Sequence, residues 1–328
     1  MAKVRFGQQL NNPSPTSEEV VRLILAQEVA GLVHYSPRAY QGHDPEAVHQ
    51  LRVKARRLRS ELEIVAPVVK KKAQRFMDEE LRWAGKVLGR ERDLDVLFEL
   101  LTSLNDEPSH SLDASVLADI DEQRKKESRR IRKMIRSERY RRLVHALTIA
   151  VIDPPLREEA SSPASEVLHP GLDRTLSSLF RAVDHYGPAP TNDELHEIRI
   201  LTKRGRYCAE VASTYLGERA THLASALARA QGVLGQIHDQ VEAISYLSEQ
   251  RLMLDRDFAF AASSETPSAA IEWLSDSVDE LKRQWRAPMT EARRLGLEIR
   301  RRPVKVRSLF ETLEEAMTRR HGPFVTSR

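Results

Sequence analysis

His49-Gln50-Leu51-Arg52-Val53-Lys54-Ala55-Arg56-Arg57-Leu58-Arg59 and His196-Glu197-Ile198-Arg199-Ile200-Leu201-Thr202-Lys203-Arg204-Gly205-Arg206 are two copies of one pattern, H-x-x-R-x-x-x-[KR]-R-x-R, at an offset of 147 residues (196 − 49). A second pair, Leu88-Gly89-Arg90-Glu91-Arg92-Asp93 and Leu234-Gly235-Gln236-Ile237-His238-Asp239, repeats at an offset of 146 (234 − 88). Two motifs that keep their order and spacing across nearly half of a 328-residue chain indicate a duplicated unit. The repeated residues are mostly cationic rather than apolar, which points to an anion site.

Both copies open a helix. Asp44-Pro45-Glu46 supplies an N-cap, a proline at the first helical position and an acid behind it. Thr191-Asn192-Asp193-Glu194, at the equivalent place, is a capping box. An α-helix advances about 100° per residue, so offsets 0, +3, +7 and +10 lie within roughly 80° of one another. His49, Arg52, Arg56 and Arg59 therefore form one stripe, and His196, Arg199, Lys203 and Arg206 form its copy. Arg57 and Arg204 flank the stripes. Leu51, Ala55, Leu58 and Leu62 cluster on the opposite side, as do Ile198, Gly205, Ala209 and Ala212, and these faces must turn to a core. A merely solvating face interleaves Glu to relieve repulsion between neighbouring cations, and these stripes do not. Guanidinium forks donate in a planar geometry that suits phosphate oxygens, and histidine adds a donor whose charge rises with falling pH.

Helical periodicity dominates the rest of the chain and no alternation of period two is present, so the expected class is all-α. Helices are expected at 17–34, 70–104, 112–152, 172–185, 219–254 and 268–299, the first opened by Ser17. Residues 153–170, rich in proline, serine and acid, read as a linker between units at 17–152 and 171–299. The break at 257–267 reads as a loop, and 300–328 as a basic tail. A formal net charge of only +4 means that bulk electrostatics steer polyanions weakly, so local clustering must do it. A single cysteine, Cys208, rules out an internal disulfide and favours a reducing, cytoplasmic setting. Met1–Pro15 lacks the layout of a signal peptide, and no apolar run is long enough to span a membrane.

Arg129, Arg132, Arg136 and Arg139 make a third stripe with no duplicate, readable as a site wall or as an exposed basic face, and Ser137-Glu138 is a place for the helix to break. Gly89 and Gly235 fall mid-helix, where close helix–helix contact is the ordinary reason to accept glycine. Asp93 and Asp239 are expected to orient an arginine, Arg57 and Arg204 being the first choices. Arg92 and His238 stand at equivalent positions and are further candidates for the basic wall.

These residues resemble the CHAD domain, the conserved histidine α-helical domain. The stretch Asp44 to Val53 with Arg56-Arg57-Leu58-Arg59 is similar to its first signature. Leu195-His196-Glu197-Ile198-Arg199 with Lys203-Arg204-Gly205-Arg206-Tyr207 is similar to its second, and the two Leu-Gly motifs match the helices that follow. The likeness covers roughly residues 18–289. It implies two antiparallel four-helix bundles related by a pseudo-twofold axis, with a basic groove or cavity between them. It also implies non-catalytic binding of inorganic polyphosphate and association with polyphosphate granules. On that resemblance the ligand-binding residues are His49, Arg52, Arg56, Arg57 and Arg59, and His196, Arg199, Lys203, Arg204 and Arg206. His238 stands where the first copy has Arg92, which makes the charge there depend on pH.

Nucleic-acid or general polyanion binding is the alternative, because phosphate contacts dominate affinity for any such polymer. Aromatics make up only 5% of the chain, and neither stripe interleaves rings on which bases stack, although Tyr207 follows the second. An enzyme is the other rival, and a scaffold docking an acidic protein a third. There is no P-loop, no H-E-x-x-H zinc helix and no glycine-rich nucleotide loop, so no catalytic residue, metal or cofactor is assigned.

Overall fold

In a computed structural model, residues 15–42, 44–105, 112–256 and 265–301 are described. They form ten α-helices: α1 (Ser17–Gln41), α2 (Pro45–Ile64), α3 (Lys71–Asn105), α4 (Ala114–Arg136), α5 (Glu138–Ile152), α6 (Ser165–Tyr186), α7 (Asn192–Leu216), α8 (Glu218–Arg256), α9 (Glu265–Gln284) and α10 (Arg286–Arg301). No strand occurs among the described residues; Thr16–Pro163 and Val69–Leu156 are isolated bridges. The basic tail from 302 onward, and residues 257–264 of the expected loop, lie outside the described residues.

Local chemistry sets the helix starts. Asp44 Oδ1 accepts from Ala47 N at 3.1 Å, with Pro45 in the first turn of α2. Thr191 closes the capping box of α7 with Glu194. The first helix is capped by Thr16 rather than Ser17: Thr16 Oγ1 accepts from Glu19 N, and Thr16 N donates to Glu19 Oε2 at 2.7 Å. It also runs past the expected end at residue 34, through Pro37, to Gly42 in the left-handed conformation. Buried Ser36 bonds back to Leu32 O and reaches Tyr140 of α5, so tertiary contact holds the turn around the proline.

The expected 112–152 helix is two helices. Ser137 caps α5 by accepting from Tyr140 N, and Arg139 therefore sits on a different helix from Arg129, Arg132 and Arg136. The 268–299 helix likewise divides at Trp285, which is fully buried. α6 starts at Ser165, inside the segment read as linker. The rest of that segment is zipped onto the first half: Lys70 N donates to Pro155 O at 2.8 Å, Arg157 N to Val68 O at 2.9 Å, and Ser17 N to Ser162 O at 2.9 Å.

Helix contacts follow the same order in the two halves: α1 on α2, α2 on α3, α3 on α4, then α6 on α7, α7 on α8, α8 on α9. The halves meet through α2–α7, α3–α8 and α2–α6. Leu51, Ala55, Leu58 and Leu62 of α2, and Ile198, Ala209 and Ala212 of α7, all lie in one apolar core, as their spacing requires. Burying a leucine of this kind contributes about 2 kcal/mol. A second cluster, including Leu101, Ile120, Leu247 and Leu274, ties the far ends of α3, α4, α8 and α9. With their apolar faces committed, α2 and α7 present their basic faces at the junction of the halves.

Candidate anion site

Arg52, Arg56, Arg199 and Lys203 form the centre of this junction, each close enough to perturb the charge of another. Arg52 Nη2 lies 3.1 Å from Asp93 Oδ1, and Arg199 Nη2 lies 3.9 Å from Asp239 Oδ1. The two aspartates thus orient the i+3 arginines of the stripes, not Arg57 and Arg204 as the sequence suggested. Three guanidiniums and the Lys203 amine face two carboxylates. Lys203 has no ion pair among the described residues, and burial, followed by Arg199, Arg56 and Arg52, pushes its ammonium down to about 6. Burial, partly offset by the aspartates, also lowers Arg52 and Arg199. Arg199 Nε and His49 Nδ1 are buried without a hydrogen-bond partner. Leaving such groups unmet costs on the order of 1–3 kcal/mol each, which a ligand oxygen at Arg199 would relieve.

Arg56 crosses the junction. Its Nη2 donates to the phenol oxygen of Tyr207 at 2.8 Å and its Nε does so at 3.2 Å. Tyr207 is wholly buried, with the Arg206 guanidinium 4.8 Å from its ring centroid. The ring is a support for arginines and offers no face to a base. Nothing in the duplicate pattern signalled this role, because the first copy has Ser60 at that place.

His196 and His238 stand with their Nδ1 atoms 3.2 Å apart. Burial, then Arg199, His196 and Lys203, push His238 down to about 3. Burial and the neighbouring cations therefore disfavour the charged form that the sequence reading gave His238. His196 and His49 are also lowered, by burial first, then by Arg199 and by Arg92 respectively. Arg92 belongs to the cluster electrostatically and approaches Glu99 at 3.4 Å.

The flanking members have other commitments. Arg57 is caged by Glu61 at 2.8 Å, Glu210 at 3.0 Å and Glu28 at 3.5 Å; burial opposes its charge, but these carboxylates outweigh it and hold it above the ordinary arginine range. Lys54 joins the same group, 3.2 Å from Glu28, and Arg206 approaches Glu210 at 3.4 Å. Arg59 pairs with Asp78 at 2.9 Å, and Arg204 lies 4.0 Å from Glu63; both line a surface cleft at the end of α2. The third stripe is not brought in. Arg129, Arg132 and Arg136 are exposed on α4, which packs on α1, α3 and α5, and Arg139 is held by Glu80 at 2.7 Å over the Trp83 ring.

Gly89 and Gly235 are not explained by close helix packing. A Cβ on Gly89 would meet only Arg52 Nη2 at 3.9 Å and Asp93 Oδ2 at 4.0 Å; one on Gly235 would meet nothing within 4 Å. Glycine here leaves room beside Arg52. Among the described residues no group of His, Cys, Asp and Glu is arranged to hold a metal ion, and no helix is long and apolar enough to cross a membrane.

The CHAD domain family matches residues 23–248, and the chain belongs to that family. Two curated relatives, uncharacterized proteins MT2285 and Rv2226 from two strains of Mycobacterium tuberculosis, are each 26% identical over 254 residues. That covers 75% of this chain and 48% of each relative, so the chain spans about half their length. Among solved structures, the CHAD domain from the plant Ricinus communis superposes with a TM-score of 0.68 at 24% identity, over 90% of this chain and 96% of that one. PptA from Streptomyces chartreusis gives 0.61 at 19% identity, over 86% of this chain and all of its own. These two likenesses speak to the fold.

Proposed function

We propose that this chain binds inorganic polyphosphate, without catalysis, at the junction where Arg52, Arg56, Arg199 and Lys203 meet. The observation that carries this reading is three arginines from two repeats converging with Lys203, which has no ion pair among the described residues, on only two carboxylates. A polyanion supplies the missing negative charge. CHAD domains are associated with polyphosphate-related proteins, and their homologues are generally non-catalytic binding domains. The units 17–152 and 171–299 would each contribute one wall. His49, His196 and Arg92 act as neutral or cationic donors at the rim, while Arg57, Arg204, Arg59 and Arg206 hold the walls together and extend the positive field.

Capture on this reading is largely entropic, since each phosphate contact releases condensed counterions. Association with polyphosphate granules in the cytoplasm is the corresponding cellular setting. Nucleic acid is the poorer ligand, because Tyr207 has no exposed face on which a base stacks. Calorimetric titration with long-chain polyphosphate tests the reading. Wild-type protein should bind, and Arg52→Ala/Arg56→Ala/Arg199→Ala/Lys203→Ala should lose most of its affinity at unchanged helicity by circular dichroism. Undiminished binding by the folded variant would contradict it.

A further inference from the structure

Two contiguous surface cavities, of about 460 and 470 Å³, open where α2 ends and α3 begins, and share Glu63, Lys71, Gln74 and Arg204 among their walls. Besides Arg59 of α2 and Arg82 of α3, their cations converge from four separate segments, unlike the face of a single helix. Lys71 and Arg75 come from the start of α3, Arg157 from the segment before α6, Arg174 from α6 and Arg204 from α7. Two of them are placed by specific contacts. The Arg157 backbone N–H donates to Val68 O at 2.9 Å, pinning that segment beside α3. Gly171 lets α6 approach the end of α2 so closely that a Cβ there would fall 2.6 Å from Ile64 Cγ2; Arg174, one turn on, is thereby set over the cleft.

The two carboxylates on these walls are already engaged, Asp78 with Arg59 and Arg82, and Glu63 with Arg204. Lys71, Arg75, Arg157 and Arg174 have no ion-pair partner among the described residues. The first turn of α3 also carries Lys71 and Lys72 and no acid, the reverse of what a helix N-terminus favours. At the other end of the junction, the cavity bordered by His196 and His238 has Asp93, Glu127 and Asp239 engaged by Arg52, Arg90 and Arg199, and adds Glu242 and Glu249, which have no Lys or Arg partner among the described residues. A phosphate chain leaving the central cluster is repelled at that end and attracted at this one.

We propose that the cleft walled by Lys71, Arg75, Arg157 and Arg174 is a second anion site, taking the continuation of a phosphate chain that leaves the central cluster past Arg59 and Arg204. This rests on the reading of the central cluster as a phosphate site. The consequence is a dependence on chain length: a short phosphate oligomer fills the centre, and only a long one reaches the cleft.

The test compares tripolyphosphate with long-chain polyphosphate on wild type and on Lys71→Ala/Arg75→Ala/Arg174→Ala, three exposed side chains whose loss leaves the fold intact. Long-chain affinity should fall about tenfold, and the slope of log affinity against log salt should flatten by about two, for three lost contacts. Tripolyphosphate affinity should be unchanged. The charge-keeping variant Lys71→Arg/Arg75→Lys/Arg174→Lys should bind the long chain nearly as wild type does. Unchanged long-chain affinity and slope in the alanine variant would overturn the proposal, as would equal loss in the charge-keeping variant. Loss in the cleft variant together with full binding by the central quadruple variant would instead leave the cleft standing and remove the central reading.

Discussion

Arg56 of α2 donates twice to the buried phenol oxygen of Tyr207 on α7, at 2.8 and 3.2 Å, and so fixes one repeat's cation by a residue of the other. The oxygen has no obvious second task. In Tyr207→Phe the guanidinium loses that anchor while the ring and its packing remain. Polyphosphate affinity should fall several-fold, with a stability loss of about 1 kcal/mol in urea denaturation. Unchanged affinity would mean that Arg56 is positioned by something else.

Lys203 sets the pH response. Its ammonium titrates near 6 in the folded, unliganded protein and in the ordinary lysine range when unfolded. Between those values the unfolded chain binds more protons, so the stability contributed by this group is lowest below about 6 and rises with pH above it. A bound polyanion favours the charged form, so binding near neutral pH should draw in up to about one proton per site. Titrations in buffers of different ionisation enthalpy measure that uptake directly. It should vanish in Lys203→Met, and affinity should decline as the pH rises above neutrality.

Arg57 and Arg52 should separate stability from binding. Removing Arg57 leaves Glu61 without its ion-pair partner and Glu28 with Lys54 alone, both nearly buried, and should cost on the order of 1–3 kcal/mol of unfolding free energy. Arg52→Ala relieves repulsion with Arg56 and leaves only the well-exposed Asp93 without its partner, so its stability should stay near wild type while polyphosphate affinity drops. Equal destabilisation by both would show the stripe to be structural.

Gly235→Ala should stabilise the protein by about 1 kcal/mol, since the added methyl meets nothing and helix propensity improves. Affinity for polyphosphate should fall if the space beside α8 is occupied by ligand. Thermal melting and titration of the same preparation read both effects, and a more stable variant with wild-type affinity would argue that the space is unused.

Residue spacing made the basic and apolar faces of α2 and α7 legible, because a helix of fixed pitch assigns its sides without reference to neighbours. The caps at Asp44 and Thr191 were legible for the same local reason. What spacing does not carry is which partner a side chain meets. The Asp93–Arg52 and Asp239–Arg199 pairs depend on how α3 and α8 lie against α2 and α7, and Arg57 was lost to three carboxylates from three helices. Likewise the lowering of His238 follows first from its burial between helices and then from cations on α7. The +3, +4, +3 arginines from 129 to 139 are not one stripe because the chain breaks at Ser137, the place the sequence offered for it, and spacing alone did not say whether it would. Lys71, Arg75, Arg157 and Arg174 share no periodicity at all, since they converge only in three dimensions.

The most direct measurement is competition between long-chain polyphosphate and single- or double-stranded DNA for the wild-type protein, at two salt concentrations, repeated with the quadruple alanine variant of Arg52, Arg56, Arg199 and Lys203. Strong preference for polyphosphate at both salts, lost in the variant, is the expected result. DNA binding as tight as polyphosphate binding, or a preference that survives in the variant, would contradict the assignment of a polyphosphate site to this junction.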